Sequence, residues 1–152
     1  AEVEYKTGLG DVMAISASLK ENIFPSIVIR ESPGYGGEVS TYPVKDKMVI
    51  CLSGLGRDTS QILNNSEWTE IINTASLGIQ LTNVNLRTAI KTGRLFTEKA
   101  GLMNESLSEI LEQVPMGAVA SVAHLGTSII ATSDDVLGLR SALENFGEIR
   151  EF

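Results

Sequence analysis

Two glycines and an acid open the chain in the run Thr7-Gly8-Leu9-Gly10-Asp11-Val12. Gly8 and Gly10 permit a tight turn, and Asp11 falls where exposed backbone N–H groups at a helix start favour an anion. A carboxylate so placed can orient or deprotonate a hydroxyl, beside a backbone free to approach a substrate. The same letters also describe an ordinary capped turn. A second candidate is Ala123-His124-Leu125-Gly126-Thr127-Ser128 between two apolar runs. A glycine-bearing turn there can bring backbone amides to a phosphate, or can simply close a hairpin. A third is Gly54-Leu55-Gly56-Arg57-Asp58-Thr59-Ser60, a strand-to-helix turn suited to an anion. It lacks the Lys-Ser/Thr ending of a P-loop, and its plainer reading is a βα turn capped by Asp58 or Thr59. His124 is the single histidine and Cys51 the single cysteine. Neither has metal-ligand company at useful spacing, so no metal site is expected.

The elements that must hold these residues follow from pattern. Ser26–Arg30 reads as a strand, Ser32 to Gly37 as a loop, and Glu38 to Lys45 as an extended edge carrying Pro43. Lys47 to Ser53 is a near-continuous apolar run suited to a buried strand, with Cys51 as a small core residue. Ser66 is the expected cap of a helix from Trp68 to about Val84. Further helices are expected over Leu86 to Ala100 and over Ser106 to Val114, the last stopped by Pro115. Strand, turn and strand follow between 117 and 132. A helix capped by Asp134 or Asp135 then ends at Gly147 as its C′ residue, before an edge strand closes the chain. This order predicts an α+β fold, a small antiparallel sheet with helices on one face.

Composition narrows the function classes. The chain has 152 residues, 43% hydrophobic and 20% charged, enough apolar surface for a packed core. A formal charge of −7 opposes nucleic acid and a polybasic membrane anchor. No apolar stretch approaches the roughly 20 residues of a membrane-spanning helix. With one cysteine no internal disulfide can form, in keeping with a cytoplasmic protein. Ala1 is not an initiator Met, and the chain runs directly into its glycine motif, as expected of a fragment.

Taken in order, these pieces resemble archaeal pantoate kinases, of the GHMP kinase superfamily. Thr7 to Ala14 resembles the segment after that family's phosphate-binding domain, and Ile27 to Gly34 its next strand and Pro-Gly loop. Arg57 to Ser66, then Glu67-Trp68 with Ile71-Ile72-Asn73, are similar to its central helices. Phe96 to Leu102 matches a Phe-x-x-x-x-Gly-Leu segment, and Ala118 to Ala131 resembles the third superfamily motif with a Leu-Gly turn. The superfamily's Pro-x-x-x-Gly-Leu-Gly-Ser-Ser-Ala loop does not occur in this chain. Nor does the Gly-Gly pair that the family often carries before the strand, since Ile15 to Ser26 has no glycine.

The resemblance implies ATP- and Mg2+-dependent phosphorylation of pantoate to 4-phosphopantoate, in archaeal coenzyme A synthesis. It implies Asp11 as base or hydroxyl orienter and Thr7, Gly8 and Gly10 as walls of the substrate pocket. Gly126 and Thr127 would form the phosphate-proximal turn. It further implies that residues 1–45 end the N-terminal kinase domain and 46–152 form a ferredoxin-like C-terminal domain. The N-terminal half of the same protein is then a required partner. Without it Val12, Ile15, Ile27 and Ile29 form an exposed patch that invites a homodimer. Other superfamily kinases with different alcohol acceptors share these implications. A free-standing ferredoxin-like domain that binds an effector or assembles would share the fold pattern, but leaves Gly8-Leu9-Gly10-Asp11 without a role.

Overall fold

The computed structural model of the chain describes residues 17–30, 38–55, 61–62, 64–79, 81–123 and 128–152. Helical backbone at 17–21 leads into β1 (Ser26–Arg30), which pairs antiparallel with β2 (Val39–Pro43). Pro43, opposite Ser26, ends β2, where its missing N–H interrupts no ladder. The segment from Ser32 to Gly37, expected as the loop between them, lies outside the described residues.

The second sheet contains β3 (Val49–Leu52), β4 (Val119–Ala123), β5 (Ser128–Thr132) and β6 (Glu148–Glu151). Its order is β4-β5-β3-β6 and every pairing is antiparallel. Between β3 and β4 the described residues include α1 (Ser66–Ser76), α2 (Leu86–Lys99) and α3 (Glu105–Glu112), with helical backbone also at 61–62. One helix, α4 (Val136–Leu143), lies between β5 and β6. The expected α+β class with small antiparallel sheets is what the chain forms.

Alternation along the strands divides the main sheet. Val49, Cys51, Ala120, Val122, Ile129 and Ala131 all face one side. There they meet Leu107, Ile110 and Leu111 of α3 and Leu139 and Leu143 of α4. A smaller cluster joins Ile62, Ala75, Ala100 and Leu102, with Trp68, Ile72 and Phe96 packed on it.

The helices do not all share one face. Ser121 points away from the α3/α4 core, and a Cβ placed on Gly93 of α2 would sit 3.5 Å from its Oγ. Small residues on both sides, Gly93 and Ala89 facing Ser121 and Ala123, let α2 lie close to β4 on the opposite side of the sheet. Arg87 fixes the start of α2 there. Its guanidinium donates to Gly117 O at 2.9 Å and to Asp134 Oδ1 at 2.9 Å.

Three boundaries also differ from expectation. Asn65, not Ser66, caps α1, its side chain accepting from the N–H groups of Glu67 and Trp68. That helix stops at Ser76 rather than near Val84, because Gly78 adopts φ +75° and turns the chain. Gly147 is not a C′ residue of α4, whose cap is Glu144. It sits instead against β3, where an added Cβ would collide with the Leu52 carbonyl.

Candidate functional site

The residues expected to carry chemistry fall where the structure gives no description. Thr7, Gly8, Gly10 and Asp11 lie outside the described residues, as do His124, Gly126, Thr127 and the stretch from Gly56 to Ser60. What the structure does place is the framework around two of the three motifs.

The register shows how they relate. Ala123 pairs with Ser128, so β4 and β5 form a stem whose strands flank positions 124–127 in the chain. Cys51 pairs with Ile129, so the C-terminal end of β3 leaves the sheet at that same end. Gly54 then takes φ +67°, the left-handed turn that glycine adopts without strain, and leads toward residues 56–60. Two segments far apart in sequence thus leave one end of one sheet. Ser128 is buried at the base of the stem and Ser121 lies deeper along it.

Beside this stem the first hairpin, α2 and the main sheet enclose a cavity of about 390 Å³. Leu86, Ala89, Ile90 and Gly93 form its α2 wall, at the i, i+3, i+4, i+7 spacing of one helix face. Ser121, Ala123 and Ile130 form the sheet wall. Ser26, Ile27 and Val44 close it from the hairpin side, with Met48 and Phe152 at its end. The cavity therefore reaches Ala123, the last described residue before Gly126 and Thr127. Among the described residues that line it, Asp46 is the charged one, and its carboxylate makes no hydrogen bond or ion pair with another described residue. The hydroxyls are engaged elsewhere: Ser18 and Ser26 share a hydrogen bond, and Ser121 Oγ donates to Val122 O at 3.1 Å.

No motif in the sequence marks this cavity. Leu86, Ala89 and Ile90 were legible as a helix face, but periodicity does not say what that face meets. Gly93 was the available signal, a glycine inside an otherwise regular helix.

Among the described residues no group of three or more His, Cys, Asp or Glu side chains is placed to hold a metal ion. Cys51 is fully buried, with its Sγ 3.6 Å from Leu143 O, and burial pushes its thiol pKa up. It packs in the main core, and burial disfavours its thiolate. No described helix is long and apolar enough to cross a membrane.

No family model matches the chain. It is 31% identical over 137 residues to the pantoate kinase of Methanocaldococcus jannaschii, a match covering 88% of this chain and 48% of that enzyme. A solved structure described as a phosphotransferase related to the CoA biosynthesis pathway superposes with a TM-score of 0.63. That match covers 99% of this chain and 50% of the other, at 22% identity, and shows a common fold. The chain spans about half the length of the curated relative it matches. Over that half, and with the sheet and helices just described, the chain is homologous to archaeal pantoate kinase.

Proposed function

We propose that the chain is the C-terminal part of an ATP-dependent GHMP-type kinase that phosphorylates pantoate to 4-phosphopantoate in the cytoplasm. The observation that carries this reading is the alignment with the Methanocaldococcus enzyme, which runs through nearly all of the chain. The strand order supports it, because β-α-β-β-α-β connectivity with β4-β5-β3-β6 neighbours is that of a ferredoxin-like domain. The division near residue 45 has support of the same kind. β2 ends at Pro43 in one sheet and β3 begins at Val49 in another.

In this reading Asp11 orients or deprotonates the acceptor hydroxyl, and Thr7, Gly8 and Gly10 shape the pocket around it. The turn at Gly126 and Thr127, held by the β4–β5 stem, approaches the phosphate. ATP with Mg2+ supplies the phosphoryl group, and the phosphate loop comes from the half of the relative that this chain does not match. No step is assigned to magnesium through the described residues, since none of them clusters as ligands.

Phosphoryl transfer by the full-length protein to a panel of alcohols tests the proposal. Pantoate, mevalonate, homoserine and a hexose form a sufficient set. Transfer to pantoate at a kcat/KM at least ~100-fold above the others is expected. Transfer only to another member replaces the acceptor, and no ATP-dependent transfer to any of them removes the kinase.

A further inference from the structure

Among the described side chains from Leu19 to Met48 none is buried, whereas β3, β4 and β5 of the main sheet each bury two or more. Within the described residues β1 and β2 form a two-stranded sheet, and a lone ribbon of that kind is marginal in water until another layer covers it. Toward α2 it meets the cavity of about 390 Å³ in place of close packing. Large apolar side chains stand on the same segment. Leu19 is 65% exposed and Phe24 64%, on either side of a tight turn in which Asn22 N–H donates to Leu19 O at 3.2 Å. Pro25, next to Phe24, shares the cavity lining with Phe152, itself 60% exposed. Leu77, Met116 and Leu137 are exposed too, but each stands on a different part of the fold, and single surface hydrophobics need no cover.

We propose that the face carried by Leu19, Phe24 and the β1–β2 hairpin is the seam on which the other half of the kinase packs. The inference rests on the kinase reading and names where its two halves meet. The occupant is the stretch of the relative that this chain does not match, about half of that enzyme's length. A stretch so long has the apolar surface of a whole domain to offer. In the kinase reading residues 1–45 finish the N-terminal domain, so chain preceding them supplies the core that this segment lacks. A second copy offers only an equally thin ribbon. The seam also differs from the patch expected from the sequence. Ile27 and Ile29 are half-buried, and Val12 and Ile15 lie outside the described residues.

The test compares the 152-residue chain with the full-length protein. Leu19→Cys and Phe24→Cys, with Leu137→Cys as a control on α4, are labelled with a maleimide and read by peptide mass spectrometry. Leu137 is 75% exposed and outside the seam, and the buried Cys51 gives the slow background. In the 152-residue chain all three should label at similar rates. In the full-length protein Leu19→Cys and Phe24→Cys should slow at least ~10-fold, the protection of a packed site that opens only locally, with Leu137→Cys unchanged. Amide exchange in the unsubstituted proteins makes the same comparison without a mutation, and β1 and β2 should exchange at least ~10-fold more slowly in the full-length protein. Equal labelling and equal exchange in the two proteins overturn the seam. Protection in the 152-residue chain that grows with its concentration assigns the face to a second copy and overturns it as well. Phosphoryl transfer by the same full-length protein judges the kinase reading separately: an active enzyme with both cysteines fast loses the seam alone, and protection in an inactive protein keeps the seam and removes the kinase.

Discussion

Cys51 and Gly147 meet where β3 passes the end of α4, and each is fixed by what surrounds it. The Cys51 side chain is fully buried, and its thiol lies 3.6 Å from Leu143 O. Burial penalises the thiolate and raises the pKa above the ordinary 9.0. The folded protein then keeps a proton that the unfolded chain releases, so this group leaves stability unchanged below pH 9.0 and erodes it as pH climbs higher. Cys51→Ala should lose part of the alkaline decline in the urea midpoint, and native protein should resist a disulfide-exchange reagent that labels it once unfolded. Gly147 is limited by space, not by charge. Gly147→Ala forces the Leu52 carbonyl aside and should cost about 1–3 kcal/mol, the usual range for overpacking a tight contact, read from urea unfolding. The proposed kinase reading gives Asp11 a chemical role instead. On that reading Asp11→Ala in the full-length protein should lower kcat at least ~100-fold, the loss typical of a proton-handling group, and near-normal turnover would remove it from the reaction.

At the scale of elements, short polar side chains set the helix starts. Asn85 accepts from Thr88 N at 3.0 Å, and the Thr88 hydroxyl accepts from Asn85 N at 3.1 Å, a reciprocal capping box on α2. Asn85→Ala should destabilise the protein by about 1 kcal/mol, measured as a shift in urea midpoint with unchanged slope. Much of this level was legible in the sequence, because α2, α3, β3 and β6 rest on local periodicity and punctuation. Boundaries were less legible. Asn65 and Ser66 are both good caps, and only the backbone decides which accepts. The apolar letters continue past Ser76 to Ile79, but Gly78 takes a left-handed conformation that periodicity does not register. The face of the sheet that α2 covers was not legible either, since it depends on the packing of Gly93 against Ser121, 28 positions later in the sequence.

For the molecule as a whole, the unresolved matter in the sequence was where distant segments meet. Antiparallel pairing of β3 with β5 brings residues 52–55 and the β4–β5 stem to one end of the sheet, across more than seventy positions of chain. No local pattern encodes that pairing. The candidate catalytic residues were legible only as an ordered resemblance, because a turn with an acid is common and its neighbours define its use. This chain carries a formal charge of −7, which opposes an anionic acceptor unless positive charge is gathered locally. In the proposed reading the phosphate loop and its cations come from the half of the relative that this chain does not match. The 152-residue chain by itself should show no transfer to pantoate above background, while the full-length protein turns over with ATP and Mg2+. Adding the separately expressed N-terminal half should restore part of that rate, with a saturable dependence on its concentration. Measurable turnover by the 152 residues alone would place a complete phosphate site within this chain and overturn the division of labour between the halves.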